Sequence, residues 1–184
     1  VHDDVKSAIP FMKKSHGKGK PFFINLWIHE PHTPFHVDPK LQKLFPDLPE
    51  ADNIYAATLY HADLRIGLLL DALDEMKISD NTLVIFSSDN GPARGSPNSP
   101  IALSYDSATG PGYGIGAAKG ITGGRRAFKG ALMEGGIGVP FIARWPGKIS
   151  AGKVDKTSVL SAVDLLPTFC ELGNVKLPKS YKPD

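Results

Sequence analysis

An α/β fold, with a mostly parallel, mixed sheet flanked by helices, is what this sequence predicts, and three observations predict it. Two short apolar runs rich in β-branched and aromatic residues, Phe22 to Ile28 and Thr82 to Ser87, have the character of strands buried on both faces. Between them, Asn53 to Met76 carries Leu59, Ala62, Ile66, Leu69, Leu73 and Met76 at spacings of three and four, one face of a long helix. Each apolar run ends in a polar cluster, His29-Glu30-Pro31-His32-Thr33-Pro34 after the first and Ser88-Asp89-Asn90-Gly91 after the second. In such sheets ligands collect at the carboxyl ends of strands, so both clusters occupy the edge where chemistry is expected.

The remaining elements follow in order. Residues 1–20 predict a short helix running into a solvated Ser15-His16-Gly17-Lys18-Gly19-Lys20 linker, with Lys13 and Lys14 just before it. A strand and its loop are expected over 21–36, where Pro31 and Pro34 end regular structure, then the helix over 53–77 and a strand over 82–88. Residues 92–136 are rich in Gly, Ser and Pro, a long loop of the kind that forms lids and rims. A third strand is expected over 139–145 before the Trp145-Pro146-Gly147 turn, and Thr157 to Leu160 has the composition of a short fourth. Ser161 or Asp164 would cap a final helix over 162–172, which stops at Gly173-Asn174. His61, Asp63 and Arg65 fall largely off the apolar stripe of the long helix.

Composition narrows the function classes. The 184 residues hold 41% hydrophobic side chains, enough for one domain with a sizeable core and no staples. A single cysteine, Cys170, rules out an intramolecular disulfide framework and a Cys-only zinc cluster. The net charge of +2 lacks the basic bias of a nucleic-acid binder. No apolar run approaches the roughly 20 residues needed to span a bilayer, and Val1 to Pro10 does not read as a signal peptide.

Three familiar patterns fail on inspection. Gly112-Tyr113-Gly114-Ile115-Gly116-Ala117 matches GxGxxA, but no strand leads into it and no helix pattern leaves it. Gly147 to Lys153 nearly spells a P-loop, yet Val154 takes the place of the Ser or Thr that would bind magnesium. His29-Glu30 begins an HExxH match that Thr33 breaks, and Pro31 and Pro34 would break its helix.

What survives is a constellation. Asp89 and Asn90 offer a carboxylate and an amide oxygen, hard ligands for Ca²⁺ or Mg²⁺, although Asp-Asn-Gly is also an ordinary turn. His32 at the other strand end suits a general acid, or simply a hydrogen bond to loop backbone. Lys129 can pair with an anion or sit as a solvated surface charge. Together, two oxygen ligands, a histidine and a lysine suit metal-assisted transfer of a tetrahedral oxyanion group.

At these residues the chain resembles a type I sulfatase of the alkaline phosphatase superfamily. The resemblance rests on Pro21-Phe22-Phe23 leading to Glu30-Pro31-His32-Thr33-Pro34, and on Asp80 to Gly91. It continues through Lys129-Gly130 with Glu134-Gly135-Gly136, Trp145-Pro146-Gly147, and Val163 to Thr168. It implies an alkaline phosphatase/sulfatase-like fold and a sulfuric ester hydrolase with a single calcium ion, in preference to magnesium, for which Asp89 and Asn90 would be two ligands. It also implies that His32 contacts the sulfate and protonates the leaving oxygen, and that Lys129 binds sulfate oxygens. Asn90 favours this branch, because phosphate-directed relatives carry His there and bind softer metals.

The departures shape the expectation. The family makes a formylglycine nucleophile from a C/S-x-P-x-R motif, which is absent here; Cys170 lies in Phe169-Cys170-Glu171 and reads as a small core residue. The family's Asp-Asp metal pair and its second catalytic Lys and His are likewise absent, and Gly138 stands where relatives place Arg. The resemblance therefore implies that residues 1–184 are the latter part of a catalytic domain, an incomplete domain inactive without the remainder of the sulfatase polypeptide. Substrates would be a sulfated small molecule or a sulfated glycan, with no nucleic acid and no membrane span involved. Trp27, His29, His36 and Arg94 are candidates for the pocket rim, His29 and Arg94 as substrate contacts, and residues 94–124 form an insertion suited to shaping it. Secreted, periplasmic or lysosomal placement is the family tendency. Two other readings stand beside this one: a phosphodiesterase or phosphonate hydrolase of the same superfamily, and a catalytically dead domain that binds a glycan or a partner.

Overall fold

The computed structural model describes residues 4–96, 98–102 and 112–182. The chain divides into two compact units, Val1–Ile149 and Ser150–Asp184. The unit Val1–Ile149 is built on one long helix.

That helix, α3, spans Glu50–Glu75, following α1 at Asp4–Gly17 and α2 at Pro39–Gln42. Acidic Glu50 and Asp52 fill its first turn, where the helix dipole favours negative charge. Its buried residues are Ile54, Ala57, Thr58, Ala62, Ala72 and Leu73, whereas Leu59, Leu64 and Leu68 are exposed. The inward stripe is thus rotated from the one expected through Leu59, and the half-buried His61 and Arg65, expected off the stripe, lie along it. The small residues win the inward positions because they let neighbouring backbone approach the helix closely.

Two cores form along α3. Met12 of α1 meets Ala72 and Leu73, with Phe22, Ile24 and Val84 packed against them. Phe35 meets Ile54 and Ala117, joined by Tyr55, Tyr113 and Ile101. Helix α2 was not expected; its signal is Asp38-Pro39, a cap whose carboxylate accepts from Lys40 N at 2.8 Å followed by proline at the first helical position. The amide of Asn53 then donates to the carbonyls of Gln42 and Phe45 at 2.8 and 2.7 Å, clamping the turn after α2 onto α3.

The sheet corrects the expectation of a mostly parallel arrangement. Among the described residues it has two strands, β1 at Val84–Ser87 and β2 at Phe141–Arg144, paired antiparallel with Val84 opposite Arg144 and Ser87 opposite Phe141. Both are shorter than the spans expected over 82–88 and 139–145. The segment expected as a strand within 21–36 makes no ladder, yet its burial alternates with period two from Pro21 to Glu30, as in a strand. Phe22 and Ile24 face the helices, while Phe23 and Trp27 are 64% and 81% exposed. The packing of Phe22 and Ile24 seats this run, and among the described residues it belongs to no ladder.

The long loop over 92–136 is not structureless. Residues 97 and 103–111 lie outside the described residues, but Ile115–Ala117 forms a 3₁₀ turn, Glu134–Ile137 a short helix (α4), and Tyr113 bridges Phe35 in both directions at 2.9 and 3.0 Å. The GxGxxA stretch is therefore a core-anchoring turn.

In the unit Ser150–Asp184, the short strand suggested for 157–160 is replaced by a turn. The Asp155 carboxylate accepts from the backbone N–H groups of Thr157 and Ser158 at 2.8 and 3.0 Å and from both hydroxyls. These bonds, led by those from Ser158, hold its carboxyl well below the usual carboxylate range. The last helix is a 3₁₀ turn, Ala162–Asp164, continuing as α5, Leu165–Leu172, and Asp164 accepts from Ser161 N at 2.8 Å. Cys170 is half-buried and free rather than a fully buried core residue.

Candidate active site

Asp89 and Asn90 follow directly from β1, on a turn whose backbone is locked against the segment before β2. Gly91 N donates to Gly136 O at 2.8 Å, and Lys129 N donates to Pro92 O at 3.0 Å. The approach is so close that a Cβ at Gly91 would lie 2.0 Å from the carbonyl oxygen of Gly135, and one at Gly135 would lie 2.0 Å from that of Ala127. Glycine is thus required at both positions for closeness alone. Two parts of the sequence about 40 residues apart, Asp89-Asn90 and Lys129, are brought to one corner by backbone contacts.

The polar atoms at that corner suit a hard cation. Asn90 Nδ2 donates to Gly91 O at 2.9 Å, which commits the nitrogen and leaves Oδ1 as the available ligand. The Asp89 carboxylate is exposed beside it, and Ser88 Oγ donates to Asn90 O at 3.0 Å, bracing the turn. Among the described residues no three His, Cys, Asp or Glu side chains gather as a metal site, so these two oxygens would make up only part of a cation's shell. Arg94 stacks over Phe128 with its guanidinium carbon 5.0 Å from the ring centroid. The two residues, with Gly120, Ile121 and Thr122, line a groove of about 370 Å³ adjoining Lys129 in sequence.

His32 belongs to a second corner. Its backbone N–H closes a turn onto His29 O at 2.8 Å, and its Nδ1 lies 2.6 Å from Thr33 O. A carbonyl can only accept, so Nδ1 carries the hydrogen and Nε2 is left as the exchangeable, exposed position. His29 meets His32 edge-to-face, with ring centroids 5.8 Å apart. His36 is half-buried, and burial pushes its pKa down from 6.5, with the charge of His29 acting in the same direction and Glu30 opposing. Trp27 lines a different groove, of about 510 Å³, against Phe11 and Phe23.

Helix α3 connects the corners. Glu30 Oε1 is 3.0 Å from His61 Nδ1, and His61 Nε2 accepts from Arg65 Nε at 3.3 Å. Six residues earlier, the Tyr55 hydroxyl packs where Gly120 approaches Pro92. Six residues of helix rise about 9 Å, so one rigid element spaces the two loops. The contacts described for His32 remain within its own loop; it is not hydrogen-bonded to Asp89, Asn90 or Lys129. His61 and Arg65 are the residues that sequence reasoning passed over. The signal for them was the series Ile54, Ala57, Thr58, His61, Ala62, Arg65, Leu69, in which two polar residues keep the inward spacing of three and four.

Comparison with known proteins identifies the family. The family model described as Sulfatase matches residues 3–175. Arylsulfatase G of Mus musculus is 30% identical over 180 residues, which is 98% of this chain and 31% of that protein. Steryl-sulfatase of Mus musculus is 30% identical over 172 residues, 93% of this chain and 24% of that protein. Among solved structures, that of Ps i-CgsB in complex with k-i-k-neocarrahexaose superimposes with a TM-score of 0.78 at 32% identity, covering 98% of this chain and 35% of its own. The PsFucS1 sulfatase from Pseudoalteromonas sp. gives 0.72 at 28% identity, covering 98% of this chain and 31% of its own. The chain thus spans about a third of the length of the relatives it matches, and it belongs to the sulfatase family.

Proposed function

We propose that this chain is the latter part of a sulfatase catalytic domain and contributes to hydrolysis of sulfate monoesters on a glycan or small molecule. The observation that carries the proposal is the locked corner, where the backbone bonds Gly91 N to Gly136 O and Lys129 N to Pro92 O hold the segments bearing Asp89, Asn90 and Lys129 against each other. Asp89 and Asn90 would hold a calcium ion, since both present hard oxygens and the Asn90 nitrogen is already committed. When bound, such an ion supplies positive charge next to the reacting group.

The side chains of this chain act around it. Lys129 binds sulfate oxygens and offsets negative charge as it develops. His32, held by Thr33 O through Nδ1, gives a proton from Nε2 to the departing ester oxygen, which would otherwise leave as an alkoxide. Arg94 and His29 flank these groups as contacts for the rest of the substrate. The formylglycine nucleophile and the further metal ligands would come from the remainder of the polypeptide. The apolar surface exposed on Phe23 and Trp27 supports that reading, because contiguous exposed apolar surface marks a face that another segment covers.

The test is made on the complete protein. It should hydrolyse 4-nitrophenyl sulfate and contain calcium. Asp89→Ala should lose the metal and at least about a hundredfold in turnover while keeping its far-UV circular dichroism. Unchanged metal content in that variant overturns the ligand assignment. Zinc or manganese with phosphodiester turnover overturns the sulfatase reading in favour of a phosphodiesterase, and sulfated-glycan binding without turnover favours a dead binding domain.

A further inference from the structure

We infer that His61 and Arg65 are positioning residues, which act through Glu30 to hold the turn that carries His32. The inference rests on the reading of His32 as proton donor. Arginine Nε can only donate, so its 3.3 Å contact makes His61 Nε2 an acceptor. The hydrogen of the neutral imidazole then sits on Nδ1 and points to Glu30 Oε1 at 3.0 Å. The sequence of donors runs one way, from Arg65 to His61 to the carboxylate of Glu30. The His61 and Glu30 side chains are only 20% and 14% exposed, so water competes weakly for these bonds and the carboxylate has a single preferred direction.

Glu30 lies inside the four-residue turn that the His32 N–H closes onto His29 O. Fixing Glu30 on α3 therefore fixes the turn, and Thr33 O fixes the ring within it. Simple stability does not demand this arrangement, since an apolar pair of similar volume would pack there without the cost of desolvating a carboxylate. What the polar series adds is direction. A proton donor misplaced by about 1 Å loses much of its effect, and the loss is greatest where the leaving group most needs the proton.

That last point gives a readout that a merely structural role would not move. In the complete enzyme, His61→Leu is assayed with phenyl sulfate, whose phenol leaves reluctantly, and with 4-nitrophenyl sulfate, whose phenol leaves readily. Turnover of phenyl sulfate should fall about tenfold or more, that of 4-nitrophenyl sulfate less than about threefold, with KM nearly unchanged. His61→Asn, which keeps a donor at the position of Nδ1, should restore most of the loss. Equal losses on both substrates, or none, overturn the inference. His32→Ala run alongside separates the two claims. If it shows no selective loss, the proton-donor reading fails first; if it does and His61→Leu does not, the positioning role fails alone. Amide hydrogen exchange supplies a second measure independent of turnover. His61→Leu and His61→Asn should differ at the His32 N–H, with about tenfold faster exchange in the leucine variant and no change at Gly91. Identical exchange at His32 in both variants and in the parent overturns the inference.

Discussion

The two loops of the site are held by different means. The Asp89 to Pro92 corner is fastened to its neighbouring segment by main-chain bonds, Gly91 N to Gly136 O and Lys129 N to Pro92 O. The His29 to Thr33 corner is fastened by side chains, through Glu30, His61 and Arg65. A main-chain lock leaves the functional side chains free to be exchanged but forbids a Cβ at the contact. A side-chain lock leaves room for a Cβ at the contact but depends on the identity and protonation of a few groups. The contrast matches what each corner is proposed to do, since metal ligation needs oxygens fixed by the backbone and proton donation needs a ring held in one direction by polar partners.

Breaking the main-chain lock should have the largest effect. Gly135→Ala places a Cβ 2.0 Å from Ala127 O, and Gly91→Ala places one 2.0 Å from Gly135 O, so each must displace backbone. We expect each to cost about 3 kcal/mol in denaturant unfolding of the complete protein. A loss below about 1 kcal/mol would show that the corner yields easily and the lock is not rigid. Next comes Asn53→Ala, which removes a side-chain clamp and leaves the carbonyls of Gln42 and Phe45 without their donor. About 1–2 kcal/mol is expected in the same measurement, with no change in metal content.

The smallest effect sharpens the comparison through pH. Burial lowers the pKa of His36 from 6.5, so the unfolded chain binds the proton more readily than the folded one. Its contribution to stability is therefore present above about pH 6.5 and is lost as pH falls through the lowered folded value. Exchange at the Phe35 and Tyr113 amides, corrected for intrinsic rate, should rise between pH 7 and 5, while Gly91 stays protected. Equal acid sensitivity at the two corners would remove the distinction.

The local elements were legible in the sequence wherever one residue's neighbours along the chain decide its state. Helix α3, the strand cores Val84–Ser87 and Phe141–Arg144, and the helix ending at Leu172 follow from periodicity, β-branching and caps. So does the polar character of the turn Ser88 to Gly91, because short polar residues and glycine cannot continue a strand. Less legible was which face of α3 turns inward. Leu59 is more apolar than Ala57 or Thr58, yet packing distance rather than hydrophobicity settles the question, and the small residues lie against the neighbouring backbone.

The sequence by itself determined the alternation of helix and extended runs, the residue types at the two corners, and the family. Tertiary structure decided strand partners and the company each polar residue keeps. Phe22 to Ile28 carries every local mark of a buried strand, but a strand needs hydrogen-bonding neighbours that no local pattern specifies, and among the described residues this run joins no ladder while Phe22 and Ile24 pack on the core. Likewise, nothing near His61 in the sequence names Glu30, 31 residues away, as its partner. Local propensity is set by a few neighbouring dihedral angles, whereas such pairings come from how whole elements close over one another.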